Sequence, residues 1–206
     1  MDAIPQKHIL DHLSRDPVLK KLIDTCVLKP RPGQPTVYEA LIRSINFQQL
    51  SGASATAIHG RFLNLFPDQY PHPEQVIGHS HDTLRSVGLS RQKAQYVQNA
   101  AQFFIENDLM DTQWEKMSDK EIIHLLTQIK GVGKWTVEMI LMFTLDRPDV
   151  LPLDDLVVKN SIIELYNVKE LRGRALTKKL LDIAEPWRPY RSTASRYLWE
   201  SKQTKL

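Results

Sequence analysis

Apolar residues recur along this chain mostly at spacings of three and four, as in Leu125, Leu126 and Ile129 and again in Met139, Ile140 and Phe143. That is the period of an amphipathic helix; no series of alternating β-branched strands joined by hairpin turns is present. The pattern predicts an all-α fold with helices near 6–13, 16–25, 36–48, 51–66, 73–77, 81–86, 91–107, 119–128, 134–145, 155–165, 171–184 and 190–202. Breakers mark most of the gaps: Pro30, Pro32, Gly33 and Pro35, then Pro67 to Pro73, Gly88, Gly131 and Gly133, Pro148 and Pro152, Pro186 and Pro189. The long proline-bounded loop at 67–73 and the break at Pro148 suggest one domain over 1–206 with two helical lobes. One is a central lobe near 36–147, the other joins about 1–35 to 148–206.

A length of 206 residues with 42% hydrophobic content suffices to fill such cores. The single cysteine, Cys26, excludes a disulfide within the chain and a cysteine-ligated zinc or iron–sulfur site, and suits a reducing interior. No apolar stretch approaches the roughly 20 residues that span a bilayer, and the first residues lack a signal-peptide core. The expected location is therefore intracellular: cytoplasm or nucleoid in a bacterium, nucleus in a eukaryote. A net charge of +3 gives only weak support to a polyanionic partner. Lys169, Arg172, Arg174, Lys178 and Lys179 lie together, followed by Arg188, Arg191 and Arg196; the plain reading of each is a solvated helix face. His8 and His12 share a helix face, but no third ligand follows at a suitable distance, so no metal is expected there.

The most informative stretch is 125–155. The run ending at Ile129 stops at Gly131-Val132-Gly133, and a second helical run starts at Lys134. Glycines there permit positive φ and close backbone approach, while the free amides of the second helix's first turn suit a phosphate oxygen. Further on, Pro152-Leu153-Asp154-Asp155 puts acid at the start of another helix. Taken singly, the glycines are a tight turn and either aspartate an N-cap. Together they suggest chemistry on a nucleic-acid backbone or on a base held next to it.

This order resembles the helix-hairpin-helix and Gly/Pro/Asp segment of the base-excision DNA glycosylases. The likeness continues through Ser44-Ile45-Asn46-Phe47-Gln48-Gln49-Leu50-Ser51, through Val87-Gly88-Leu89-Ser90 with Lys93-Ala94, and through Glu185-Pro186-Trp187-Arg188-Pro189-Tyr190-Arg191-Ser192 to Trp199. These segments are similar to the DNA-3-methyladenine glycosylase II branch. The resemblance implies a two-lobed helical glycosylase, monomeric, that takes double-stranded DNA containing alkylated bases and hydrolyses the N-glycosidic bond of purines of the 3-methyladenine and 7-methylguanine type. No cofactor is needed for such a reaction. An alkylated purine already carries positive charge, so one carboxylate beside C1′ can suffice, without the second carboxylate of a glycoside hydrolase.

By the family's register the catalytic carboxylate is Asp155, directly before Leu156, with Asp154 left for capping or hairpin support. Trp135 and Trp199 are the implied rings of the base pocket; ordinary packing is an equal reading for Trp135 and the better one for Trp114 and Trp187. Met139 stands where relatives carry tyrosine. Gly131, Gly133, Lys134 and Thr136 are implied in DNA binding. The Schiff-base position of the bifunctional enzymes is occupied by Trp135, with Lys134 one place early, which implies a monofunctional enzyme. The aligned wedge that fills the gap left by a flipped nucleotide is Gln49, with Ser51 nearby; a surface glutamine is the plain alternative. The carbonyls of Thr127, Ile129 and Val132 are implied ligands of a structural sodium or potassium ion. Two other readings remain open at this point: a helix-hairpin-helix DNA-binding module without catalysis, and the same fold acting on mismatched or oxidised bases.

Overall fold

The structure is a computed structural model that describes residues 5–28, 33 and 35–203. The predicted breakers Pro30 and Pro32 lie outside the described residues. The described residues form twelve α-helices and no strand. These are α1 (Lys7–Leu13), α2 (Pro17–Thr25), α3 (Val37–Phe47), α4 (Gly52–Leu63), α5 (Pro73–Gly78), α6 (His81–Ser86), α7 (Arg91–Glu106), α8 (Asp119–Leu126), α9 (Lys134–Phe143), α10 (Leu156–Leu165), α11 (Gly173–Ala184) and α12 (Arg191–Gln203).

Every predicted helix has its counterpart, because starts and stops are written locally. Thr36 with Glu39 and Ser118 with Glu121 form capping boxes at α3 and α8, and Ser80 and Ser90 cap α6 and α7 through their hydroxyls. Two short 3₁₀ turns, Trp114–Lys116 and Glu185–Trp187, and a tight turn at Pro67–Gln69 with Asp68 and Gln69 at φ +56° are not among the predicted elements. A single turn is too short for a 3.6-residue period to register.

The chain divides into two compact units, one of Gln34–Ile140 and one of Met1–Gly33 with Leu141–Leu206. The division falls inside α9 rather than at Pro148.

In the Gln34–Ile140 unit α7 is central, packed by α3, α5 and α6. Its buried face, Ala94, Val97, Ala100, Ala101 and Phe104, is mostly small, which lets neighbouring helices come close. The Tyr38 and Phe104 rings meet at 5.0 Å. Asn46 is fully buried at the end of α3; its side-chain amide lies 3.0 Å from His59 Nδ1 and its carbonyl accepts Lys93 Nζ at 2.8 Å. Burial, then the Arg43 charge, push the His59 imidazole down to about 4, so it is neutral at pH 7 and can share a proton with the amide without a charge.

The other unit packs Leu13, Leu19, Leu22, Val158, Ile162, Leu180 and Leu198 around Trp187. Asp16 organises one end. Its Oδ1 caps α2 through Val18 and Leu19, and its Oδ2 accepts the Tyr166 hydroxyl at 2.6 Å and Trp187 Nε1 at 2.9 Å. Trp187 is thus a packing residue with its indole N–H satisfied, and Trp114 is buried too. His8 and His12 set their ring edges on Tyr190, and no cluster of three potential metal ligands occurs among the described residues. No helix among them is long and apolar enough to cross a membrane.

Candidate active site

The hairpin grows out of α8. After the helix ends at Leu126, with Thr127 as its C-cap, Val132 N–H bonds back to the Ile129 carbonyl at 3.0 Å, closing a tight turn. Gly131 has φ +103°, and a Cβ built there would lie 2.3 Å from the ring of Tyr96, so the turn needs glycine twice over. Gly133 differs from the expectation for both glycines. It is not in the left-handed region, and a Cβ would meet open space. Two side chains outside the predicted set fasten the turn: Gln48 Nε2 donates to the Gly131 carbonyl at 3.1 Å and Asn99 Nδ2 to that of Lys130 at 3.4 Å.

The ladder of α9 begins with Val137 N–H on the Gly133 carbonyl at 3.3 Å, which leaves the earlier amides outside the intrahelical pattern. Lys134 turns its ammonium back to Glu138 at 3.0 Å, on a carboxylate that is itself buried. Thr136 is only 3% exposed, so its hydroxyl is not presented to a phosphate. Trp135 is 40% exposed, which removes it from ordinary core packing, and Met139 follows one turn later, half-buried.

Between α3 and α4, Gln49 is exposed with φ +57°, a strained conformation for a non-glycine residue. It is held between Gln48, tied to the hairpin, and Ser51, the N-cap residue of α4, whose hydroxyl donates to Ser54 Oγ at 3.2 Å. Leu50 beside it is partly exposed.

The carboxylate lies in the other unit. Asp155 is the N-cap of α10, 9% exposed, and its Oδ1 accepts three N–H groups: Val157 at 2.9 Å, Val158 at 2.9 Å and Trp199 Nε1 at 2.8 Å. The capping role expected for Asp154 belongs to Asp155; Asp154 is exposed. The reason is register, since only the residue directly before Leu156 can reach the amides of the first turn. A carboxylate pinned through one oxygen has the direction of the other fixed with it. The Trp199 ring is stacked on Phe143, centroids 5.6 Å apart and 28° from parallel.

The segment 147–150, which leads into this cap, is itself anchored. Arg191 bonds Asp149 through Nε at 2.6 Å and Nη2 at 3.0 Å, Arg188 pairs with the same carboxylate, and Ser192 accepts Val150 N–H at 3.0 Å while donating to the Arg147 carbonyl at 2.6 Å. These supports were not among the expected site residues. Their signal in the sequence is only that Arg191 and Ser192 fall in the downstream matching segment.

The pattern of the HhH-GPD superfamily base excision DNA repair proteins matches residues 42–188, from the third helix through the turn before α12. The chain belongs to that superfamily. Among its relatives, an alkylbase DNA glycosidase-like protein of Schizosaccharomyces pombe is 33% identical over 95% of this chain and 91% of its own length. DNA-3-methyladenine glycosylase 1 of the same yeast is 36% identical over 81% of this chain and 72% of that one. Among superfamily structures, that of the Schizosaccharomyces pombe 3-methyladenine DNA glycosylase in complex with abasic DNA superposes with a TM-score of 0.80 at 33% identity, covering 97% and 99% of the two chains. A DNA-3-methyladenine glycosidase from Bacillus halodurans gives 0.82 at 32% identity, covering 97% and 91%.

Proposed function

We propose that this chain is a monofunctional DNA glycosylase, a hydrolase that removes alkylated purines of the 3-methyladenine and 7-methylguanine type from duplex DNA in base excision repair. The observation that carries the reading is Asp155, a carboxylate immobilised by three N–H donors with an indole at its side. Simple DNA binding gains nothing from a fixed negative charge, whereas departure of a base through an oxocarbenium-like transition state does. The names of the relatives above support the choice of alkylated bases as substrate.

In this reading the first-turn amides of α9 and the backbone at Gly131 and Gly133 take a DNA phosphate, and Gln49 occupies the space vacated by the extruded nucleotide. Extrusion costs a few kcal/mol, least for damaged bases, so selection starts before chemistry. Trp199, and separately the exposed Trp135, offer electron-rich rings to a cationic base, an attraction worth about 0.5–2 kcal/mol per good contact. Asp155 stabilises the developing charge at C1′ and orients or deprotonates the attacking water. Trp135 at the Schiff-base register leaves no amine there to attack instead. The Thr127, Ile129 and Val132 carbonyls are hard oxygen donors suited to sodium or potassium. The Ile129 oxygen already accepts Val132 N–H and keeps one lone pair for an ion, whose part would be to stiffen the turn. A substrate of genomic DNA places the work inside the cell, in the nucleoid or nucleus.

Incubation with methylated duplex DNA, followed by chromatography of released bases, should yield free 3-methyladenine or 7-methylguanine and leave abasic sites that break only on added alkali. DNA binding without base release would reduce the chain to a binding module. A further expectation separates the two contributions of Trp199. Trp199→Phe keeps a ring on Phe143 but loses the N–H bond to Asp155, and should lower excision about tenfold, in line with a hydrogen bond to a charged group. Trp199→Ala should cost more, with affinity for undamaged duplex nearly unchanged. Unaltered excision in both variants would return this ring to a packing role.

A further inference from the structure

Beside the hairpin, the Gln34–Ile140 unit carries an open groove of about 690 Å³ between α6, the first turns of α7 and Lys130. Three cations line it, Arg85, Arg91 and Lys130, against a single acid, Asp82. The Arg85–Asp82 pair spans 3.8 Å with both side chains well exposed, so water screens it and it neutralises little. Polar side chains complete the wall: Gln92 donates to the Tyr96 hydroxyl at 2.7 Å. Nothing in this lining encloses a small molecule, which would need a more closed and more apolar site. An open, positively charged groove suits an extended polyanion.

Its position says which one. α7 backs both elements assigned to DNA above. The Tyr96 ring packs against Gly131, Asn99 holds the Lys130 carbonyl, and Lys93 holds the Asn46 carbonyl just before Gln49. A duplex that meets the hairpin and receives Gln49 must pass α7. We infer that this groove binds the sugar–phosphate backbone of the same duplex, flanking the phosphate at the hairpin, through Arg85, Arg91 and Lys130. This rests on the reading of the chain as a DNA glycosylase. It adds a phosphate-binding surface that neither the hairpin nor the wedge supplies.

The test is the salt dependence of binding to undamaged duplex DNA, measured for wild type and for the triple variant Arg85→Gln/Arg91→Gln/Lys130→Gln. Each lost phosphate contact should lower the slope of log affinity against log salt by about 0.9, so the triple variant should lose about two to three units of slope and at least tenfold in affinity at moderate salt. Arg174→Gln/Lys178→Gln, which removes exposed charge from α11, controls for net charge and should change the slope by less than one unit. Thermal melting of each variant checks that the fold is kept. A triple variant with the wild-type slope, or one no lower than the control's, overturns the groove. The readout does not involve base release, so a protein that binds DNA without excision would refute the catalytic reading and leave this measurement decisive. No DNA binding by wild type would end both.

Discussion

Asp155→Asn should bind damaged duplex about as well as wild type and lose excision by on the order of 10²-fold or more, the usual scale for loss of one transition-state electrostatic contact. The structure makes this a clean substitution. An asparagine carbonyl can accept the same three N–H bonds that Asp155 Oδ1 now takes from Val157, Val158 and Trp199, so the α10 cap persists and only the charge is removed. Chemical denaturation should therefore place this variant within about 1 kcal/mol of wild type, while Asp155→Ala, which loses the cap as well, should fall about 1 kcal/mol further. Asp154→Asn should retain most activity, because that residue is exposed and does not cap the helix. Single-turnover excision assays decide the point. Full activity of Asp155→Asn, or a borohydride-trapped covalent adduct in wild type, would overturn the hydrolytic mechanism while leaving family membership intact.

The second large effect concerns stability. Gly131→Ala is expected to destabilise the protein by about 3 kcal/mol or more, the sum of a disallowed φ and an overpacked contact. The backbone there sits at φ +103°, and the new Cβ would lie 2.3 Å from the Tyr96 ring, a clash that displacement of α7 or of the hairpin must relieve. Because the Gly131 carbonyl also receives Gln48, movement of the turn should loosen the segment that presents Gln49, and DNA affinity should fall along with stability. Gly133→Ala, two residues on, meets open space at a φ outside the left-handed region, and should cost little in stability. Tyr96→Ala combined with Gly131→Ala should restore the part due to the clash and not the part due to φ, giving a non-additive cycle. Urea titrations of five proteins, wild type, Gly131→Ala, Gly133→Ala, Tyr96→Ala and the double variant, measure all of these. Equal midpoints for the Gly131 and Gly133 variants would mean that the turn is not built as described.

The sequence by itself determined what depends on neighbours a few residues apart. The twelve helices follow from a 3.6-residue period, helped at α2, α3, α6, α7, α8 and α10 by side-chain caps at their own N-termini, and the hairpin follows from Gly131 and Gly133 standing between two such periods. Asp155 was legible as the candidate carboxylate because the family's motif is local, a run from Pro152 to Leu156. The cap is local too, since only the residue directly before Leu156 reaches the amides of Val157 and Val158, and Asp155 rather than Asp154 takes it; what the tertiary structure added is the Trp199 bond to the same oxygen. It also decided which residues support the site. Trp199 meets Asp155 across 44 residues, Arg191 meets Asp149 across 42, and Gln48 meets Gly131 across 83. No periodicity marks such partners, since each is chosen by how separate helices pack and not by spacing along one of them. The same packing set the two glycines apart: Tyr96, on a helix distant in sequence, fills the space where a Cβ of Gly131 would go, and nothing occupies the corresponding space at Gly133.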